Sequence, residues 1–316
     1  MAKEYKDLIV GLDIGTAKVM VVVAEVMPGG ELKLAGLGVA PSNGLKRGVV
    51  VNIDATVQSI QAALKEAELM ADCKITRVYT GITGSHIRGI NSSGMVAVKD
   101  RKNAMRNPYA HLHLPDIDMK MVEDSMMLWD PLRYLEACPS SDGAAAMVLS
   151  SEDAISGHYP PAWIHGMAMR SEPTMFAGRD QINPQAGRDC SADVYAQAGI
   201  TNPREQFDCA EVYVPFSWYE PMWLENLGFC DLGDGWKLTE AGATAFDGDI
   251  PWNASGGVLS SNPIGASGML RFLEVAMQVR GQAGEHQVDG AKLALGQAYG
   301  GGSQFFSMWV VGSDKP

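Results

Sequence analysis

A glycine-containing stretch near the start of the chain, GLDIGTAK, has residue types that could hold a phosphate group. It separates two apolar runs, so we expect a tight turn between two strands that places Asp13, Gly15, Thr16 and Lys18 beside exposed backbone N–H groups. Such a turn can bind phosphate oxygens, and the aspartate can hold a magnesium ion through water. For the motif alone, a plain hairpin turn is the favoured alternative.

A second group of candidates lies near the end of the chain, in NASGGVLSSNPIGASG and in YGGG. The first stretch, which begins at Asn253, leads into an apolar pattern that predicts a helix from about residue 265 to 280. Asn262 would lie just before the N-terminus of that helix, where partial positive charge favours an anion or a developing oxyanion. The glycines after Tyr299 would let backbone N–H groups approach a ligand.

Other polar clusters carry weaker signals. His111 and His113 have alternate spacing, but no third ligand accompanies them, so an exposed loop pair is the favoured interpretation. The turns DLGDGW and FDGDIP lack the ligand spacing of a calcium loop. We therefore predict no metal site.

The elements around the first motif follow from its apolar pattern. The runs LIVGLD, KVMVVVAEV and LKLAGLGV predict a three-strand meander. Asp54 is expected to cap a helix with apolar residues at helical spacing from Val57 to Ala71, and ITRVYTGIT predicts the next strand. The predicted order is β-β-β-α-β.

The elements around the second group are less regular. SSDGAAAMVLSSEDA predicts a polar turn, a strand of small residues and a helix start. FDCAEVYVPFSWYE predicts a buried strand that opens into a helix at Phe216, and QAYGGGSQFFSMWVVG predicts a closing strand after its glycines.

Composition limits the possible partners. The 316 residues carry a net charge of -12, which argues against broad contact with nucleic acid or anionic lipid. The five cysteines are scattered and never spaced as CxxC, so they predict neither a zinc site nor a disulfide framework. No apolar run is long enough to span a bilayer and no leader pattern is evident, so we predict a cytoplasmic protein without direct membrane insertion.

The first hundred residues resemble the FtsA family of actin-like cell-division ATPases, through IVGLDIGTAKV, GLKRGVVVNIDATVQSIQAAL and GITGSHIRGINSSGMVAVKD. The resemblance implies part of an actin-like (ribonuclease H-like) fold, with Asp13, Gly15, Thr16 and Lys18 on its first phosphate loop. ATP with magnesium would be the cofactor if this segment functions. The second phosphate loop and the adenosine-binding segment of that family are not recognisable, which argues against nucleotide binding.

The remaining residues resemble the second half of the thiolase superfamily, nearest to lipid-transfer-protein thiolases and their acyl-CoA aldolase members. GAAAMVLSSEDA, EVYVPF, NASGG with NPIGASG, and YGGG carry this resemblance as an ordered set. Where that family has catalytic histidines and a cysteine, this chain has Tyr213, Asn262 and Tyr299. A nucleophilic cysteine cannot be assigned among the five.

The replacements have a chemical logic of their own. Tyrosine hydroxyls can donate to an oxyanion or shuttle a proton in a retro-aldol step that forms no covalent acyl intermediate. We therefore predict Tyr213 and Tyr299 as catalytic residues, with Asn253 and Asn262 as oxyanion or water-positioning donors. Core aromatic residues with satisfied hydroxyls are the alternative interpretation.

The two resemblances meet near Arg101 without a linker. The predicted fold class is α/β, with a partial actin-like β-β-β-α-β segment followed by a partial thiolase-like fold. The expected domains are 1–100, FtsA-like; 101–188, a remnant of the thiolase N-terminal domain; and 189–316, a thiolase-like C-terminal domain. Because each fold would be cut within its sheet, we interpret the chain as a chimera.

Three functions are compatible with these patterns. The first is a thiolase-like protein that processes acyl-CoA as an acyltransferase or retro-aldolase, with CoA or acyl-CoA as substrate. The resemblance implies a homodimer and a DUF35-type subunit as its partners. The second is an FtsA-like ATP-binding cell-division protein, and the third is a chain without catalysis.

Overall fold

A computed structural model describes residues 8–46, 49–81, 92–155, 157 and 159–316. The chain divides into two compact units, Met1–Ile90 and Asn91–Pro316. Each has its own four-stranded sheet, and no sheet in these ranges contains strands of both units. Residues 82–91, part of the FtsA-like stretch, lie outside the described residues. Across the described chain, no helix has the length and apolar character needed to cross a membrane.

The first unit has the predicted β-β-β-α-β order, with a short extra hairpin. Its elements are β1 Leu8–Ile14, β2 Lys18–Val26, β3 Leu32–Pro41, β4 Leu45–Lys46, β5 Val49–Val50, α1 Ile53–Ala71 and β6 Tyr79–Gly81. The sheet order is β3-β2-β1-β6, with β6 parallel to β1 and the other pairs antiparallel. The meander thus forms as its apolar runs predict.

Helix α1 packs on the sheet through small residues. Val19, Val21 and Val23 alternate along β2 and are fully buried, as is Ala63 of the helix. The backbones approach closely here: a Cβ atom on Gly38 of β3 would lie 1.9 Å from the carbonyl oxygen of Ala63. Small residues on both elements therefore set the helix–sheet distance.

The start of α1 differs from the sequence prediction. Asn52 is the N-cap, and its side-chain oxygen accepts a hydrogen bond from the Ala55 N–H at 3.0 Å. Asp54 lies in the first turn instead. The predicted cap was wrong because asparagine fills the cap position equally well two residues earlier.

The second unit is a mixed sheet surrounded by short helices. Its helices are α2 Ser92–Ala104, α3 Met119–Asp124, α4 Gln185–Ala198, α5 Pro203–Gln206, α6 Tyr219–Asn226, α7 Gly235–Glu240, α8 Gly257–Ser260 and α9 Ser267–Val279. Its strands are β7 Met127–Trp129, β8 Leu132–Arg133, β9 Trp163–Ser171, β10 Cys209–Val212, β11 Leu293–Gly300 and β12 Phe305–Gly312. Single 3-10 turns cover Tyr134–Glu136, Glu152–Ala154 and Gly284–His286.

The main sheet has the order β10-β11-β12-β9, with β10 and β11 parallel and the other neighbours antiparallel. The predicted helix after residue 265 is α9, and the predicted closing strand is β12. The helix expected to open at Phe216 begins at Tyr219 instead, because Phe216 forms an isolated β-bridge with Ala137 and residues 217–218 form a turn.

The predicted strand in GAAAMVLSS does not form. Residues 142–150 have no regular structure, and the side chains of Val148 and Leu149 are 95% and 69% exposed. Strand-forming residues produce a strand only where another backbone supplies hydrogen bonds. In the described sheets, no strand pairs with this segment.

Helix α2 spans the point where the two resemblances meet, and it belongs to the second unit. Val96, Ala97 and Asp100 are fully buried. A Cβ atom on Gly256, which has φ of 91°, would lie 2.6 Å from the Cβ of Ala104. The last residues of the FtsA-like stretch therefore contribute to the core of the second unit.

A buried ionic network secures α2. The Lys99 ammonium lies 2.8 Å from Asp100 and 2.7 Å from Glu220, and it donates to the Trp252 carbonyl oxygen at 3.0 Å. Burial, with the nearby negative charge of Glu220, raises the pKa of Asp100 to about 7 against the attraction of the Lys99 ammonium. Because two carboxyl groups share one ammonium group, the carboxyl group of Asp100 tends to keep a proton near neutral pH.

This proton makes stability depend on pH. The unfolded aspartate releases it near pH 4, whereas the folded one holds it to about pH 7, so its stabilising contribution is lost as the pH rises through about 7. We expect the urea midpoint of unfolding to fall between pH 5 and pH 8, and to fall less in Asp100→Asn. The difference between the two proteins isolates Asp100 from other titrating groups; parallel pH profiles would contradict the assignment.

Candidate functional site

Adjacent strand ends bring the two candidate tyrosines together. Val212, the last residue of β10, pairs with Gln297 of β11, and the Tyr213 N–H donates to the Gln297 carbonyl oxygen at 3.2 Å. Tyr299 follows two residues later on β11. The rings of Tyr213 and Tyr299 meet edge to face, with centroids 5.2 Å apart. The parallel register therefore fixes the distance between the phenols.

Asn262 joins this pair through its side chain. The Tyr213 hydroxyl donates to Asn262 Oδ1 at 3.0 Å, and the Ser267 hydroxyl lies 2.8 Å from the same oxygen. On the other side of the amide, Asn262 Nδ2 donates to the sulfur of Cys138 at 3.1 Å. The loop before α9 thus contacts Tyr213 directly, and through Asn262 it connects the segment that contains Cys138 to the same phenol.

Both phenols are held in their neutral form. Burial raises the pKa of Tyr213 and raises that of Tyr299 strongly, the latter with a further contribution from Tyr219 beside it. The Tyr299 ring packs 5.1 Å from that of Trp223, which is fully buried. A neutral phenol can donate a hydrogen bond or exchange one proton for another, but it is not a resident base.

Asn253 occupies a different position. Its side chain is fully buried, and Oδ1 accepts the Val212 N–H at 2.8 Å while Nδ2 donates to Asp100 at 3.2 Å. Its φ of 53° is left-handed, a conformation that asparagine tolerates better than most residues. The structure thus brings Tyr213, Tyr299 and Asn262 together, and it places Asn253 behind β10 as a brace.

The brace can be tested by stability. Asn253→Ala leaves the Val212 N–H without its partner and keeps a left-handed backbone, so we expect unfolding free energy to fall by about 2 to 4 kcal/mol. Urea unfolding at pH 7 measures the loss. The exposed Asn202 provides a matched control, since Asn202→Ala should change the midpoint little. Equal midpoints for the two variants would contradict a bracing role.

The predicted phosphate turn forms between β1 and β2. The Gly15 N–H donates to the Lys18 carbonyl oxygen at 3.0 Å, as in a hairpin turn, and the side chains of Asp13, Thr16 and Lys18 are exposed. The geometry matches the expected turn, and phosphate or ATP binding by it stays a prediction.

The histidine pair does not converge on one ligand. His111 is bonded to the Ser141 hydroxyl at 2.8 Å, whereas His113 is bonded to the Asn107 carbonyl oxygen at 2.9 Å. Among the described residues, no group of three or more histidines, cysteines or acidic residues could hold a metal ion.

Cys138 also lies at the site, although no sequence pattern predicts it there. Its backbone N–H donates to the Pro215 carbonyl oxygen at 2.8 Å, which places it beside the segment that directly follows Tyr213. Burial raises the pKa of this thiol. An isolated cysteine carries no spacing signal, and the only hint was its position just before the predicted SSDG turn.

Comparisons with known proteins find two sets of relatives. Residues 168–313 match the thiolase C-terminal domain-like family. The chain is 32% identical over 256 residues to acetyl-CoA acetyltransferase of Methanothermobacter thermautotrophicus, covering 79% of this chain and 66% of that protein. The solved structure of an Ltp2-ChsH2(DUF35) aldolase is 28% identical with a TM-score of 0.62, covering 70% of this chain and 58% of that one.

The first segment has a different relative. It is 57% identical over 95 residues to the cell division protein FtsA of Pseudomonas aeruginosa, covering 30% of this chain and 23% of that protein. The chain thus spans less than two thirds of the length of each of these relatives. It is a chimera in which a segment similar to FtsA precedes a partial thiolase-like α/β unit, as its motifs predict.

Proposed function

We propose that the second unit processes an acyl-CoA thioester, by retro-aldol cleavage of a β-hydroxyacyl group. The contact between Tyr213, Tyr299 and Asn262 carries this proposal, since it unites two neutral phenols and an amide at the strand ends. The similarity to acetyl-CoA acetyltransferase and to the Ltp2-ChsH2(DUF35) aldolase supports a CoA thioester as substrate.

The reaction moves one proton within the substrate. The β-hydroxyl group loses its proton, the bond between the α and β carbons breaks to give a carbonyl compound, and the α carbon of the resulting enolate gains a proton. One phenol can take up the first proton while it gives its own to the α carbon, and the other can donate a hydrogen bond to the thioester oxygen as negative charge develops there.

This chemistry suits the site better than acyl transfer does. A thiolase-type acyl transfer needs a thiolate nucleophile, whereas burial raises the pKa of Cys138 and keeps its sulfur protonated. We also propose a DUF35-type subunit as a partner, because the structure that this chain resembles is that of an Ltp2-ChsH2(DUF35) aldolase. Acyl transfer is the alternative outcome of the same assay.

Phenol removal tests the proposed roles. With the purified chain and a β-hydroxyacyl-CoA, with and without a DUF35-type subunit, we expect Tyr213→Phe and Tyr299→Phe each to lower kcat by about a hundredfold or more. Mass spectrometry of the shortened thioester and the released carbonyl compound measures the cleavage. Products that appear only when free CoA is added would indicate acyl transfer.

A surface phenol supplies the control. Tyr109 is 85% exposed, so Tyr109→Phe should leave kcat unchanged. Full activity in both site variants would refute the assignment of the tyrosines. Thermal stabilisation by acyl-CoA but not by ATP with magnesium would favour this function over nucleotide binding at residues 13–18.

A further inference from the structure

The orientation of the Asn262 amide is determined by its three partners. Oδ1 faces two hydroxyl groups, those of Tyr213 and Ser267, and Nδ2 faces the sulfur of Cys138. Turning the amide over would point its N–H groups at the hydroxyls and its oxygen at the sulfur. A protonated thiol is a weak donor, so that arrangement would replace the present N–H to sulfur contact by a poorer one.

Cys138 is itself held rigidly. Arg101 Nη2 donates to the carbonyl oxygens of Leu135 and Ala137 at 3.0 Å each, and so fixes the backbone just before Cys138. The Cys138 N–H donates to the carbonyl oxygen of Pro215, two residues after Tyr213. The sulfur therefore has a fixed position relative to the phenol.

The segment after Cys138 is anchored to the same loop as Asn262. The Asn262 backbone N–H donates to the Ser141 hydroxyl at 3.0 Å. A Cβ atom on Gly143 would lie 2.9 Å from Pro263, so this backbone packs directly on the residue after Asn262. The backbone segments that carry Cys138 and Asn262 are therefore in direct contact, and the two side chains meet between them.

From this geometry we infer that Cys138 is a positioning residue: its sulfur holds the Asn262 amide so that Oδ1 accepts a hydrogen bond from the Tyr213 hydroxyl group. The Tyr213 oxygen then presents its lone pairs away from Asn262, where they can accept a hydrogen bond from a substrate hydroxyl group. The catalytic part of this inference rests on the proposed retro-aldol function. The contact itself does not depend on any turnover.

The contact is tested first through the thiol. The rate of iodoacetamide alkylation at Cys138, read at the peptide level so that the other four cysteines do not interfere, rises with pH as the thiolate forms. The Asn262 N–H stabilises that thiolate, so Asn262→Ala should move the profile to higher pH. Asn202→Ala is the matched control and should leave it in place. An unchanged profile in Asn262→Ala would overturn the inference.

The positioning role is tested through kinetics. We expect Cys138→Ala to lower kcat about three- to tenfold with KM unchanged, the loss of one hydrogen bond. Cys138→Ser keeps an acceptor and should restore most of the activity, and Cys230→Ala, a half-buried cysteine elsewhere, should have no effect. Equal activity of the alanine and serine variants would overturn the role. Absence of turnover in the unaltered chain would refute the proposed function, and the alkylation profiles would still decide the contact.

Discussion

The second unit depends on a buried ionic group in which the Lys99 ammonium pairs with the carboxyl groups of Asp100 and Glu220. Removing such charges from water is costly, so the group is stable only because its remaining oxygens find donors. Glu220 accepts from the Thr244 hydroxyl at 2.8 Å, and Asp100 accepts from Asn253. Asn253 then holds the end of β10 through Val212, and Tyr213 follows immediately. The position of the phenol is thereby linked to residues more than a hundred positions earlier in the chain.

The candidate site itself has the opposite electrostatic character. Its phenols and its thiol are kept neutral by burial, and its polar contacts are made by an amide and by hydroxyl groups. Such a site favours chemistry in which a proton changes place and charge develops only briefly. It disfavours chemistry that needs a stable anion such as a resting thiolate, because burial penalises the charged form.

Periodic patterns predicted much of this structure. The valine alternation of β2 and the amphipathic run of α9 specify their elements locally, and the register of β10 and β11 unites the tyrosines expected from motif resemblance. The failures are also physical. The GAAAMVLSS strand lacks a pairing backbone. The buried contacts of Asn253 could not be predicted, because Asp100, which accepts from its amide, is remote in sequence. Cys138 acquires its role only through contacts between distant loops, which no local pattern encodes.

The two phenols lie near the ends of the neighbouring parallel strands β10 and β11, and this arrangement has an evolutionary consequence. Neighbouring strands lie about 4.8 Å apart because backbone hydrogen bonds require it, and core substitutions do not alter this spacing. Selection can therefore diversify the chemistry of the unit by exchanging the side chains at positions 213 and 299 while the scaffold remains constant. The side chains at the two strand ends can therefore be exchanged, while the sheet keeps the distance between these positions fixed.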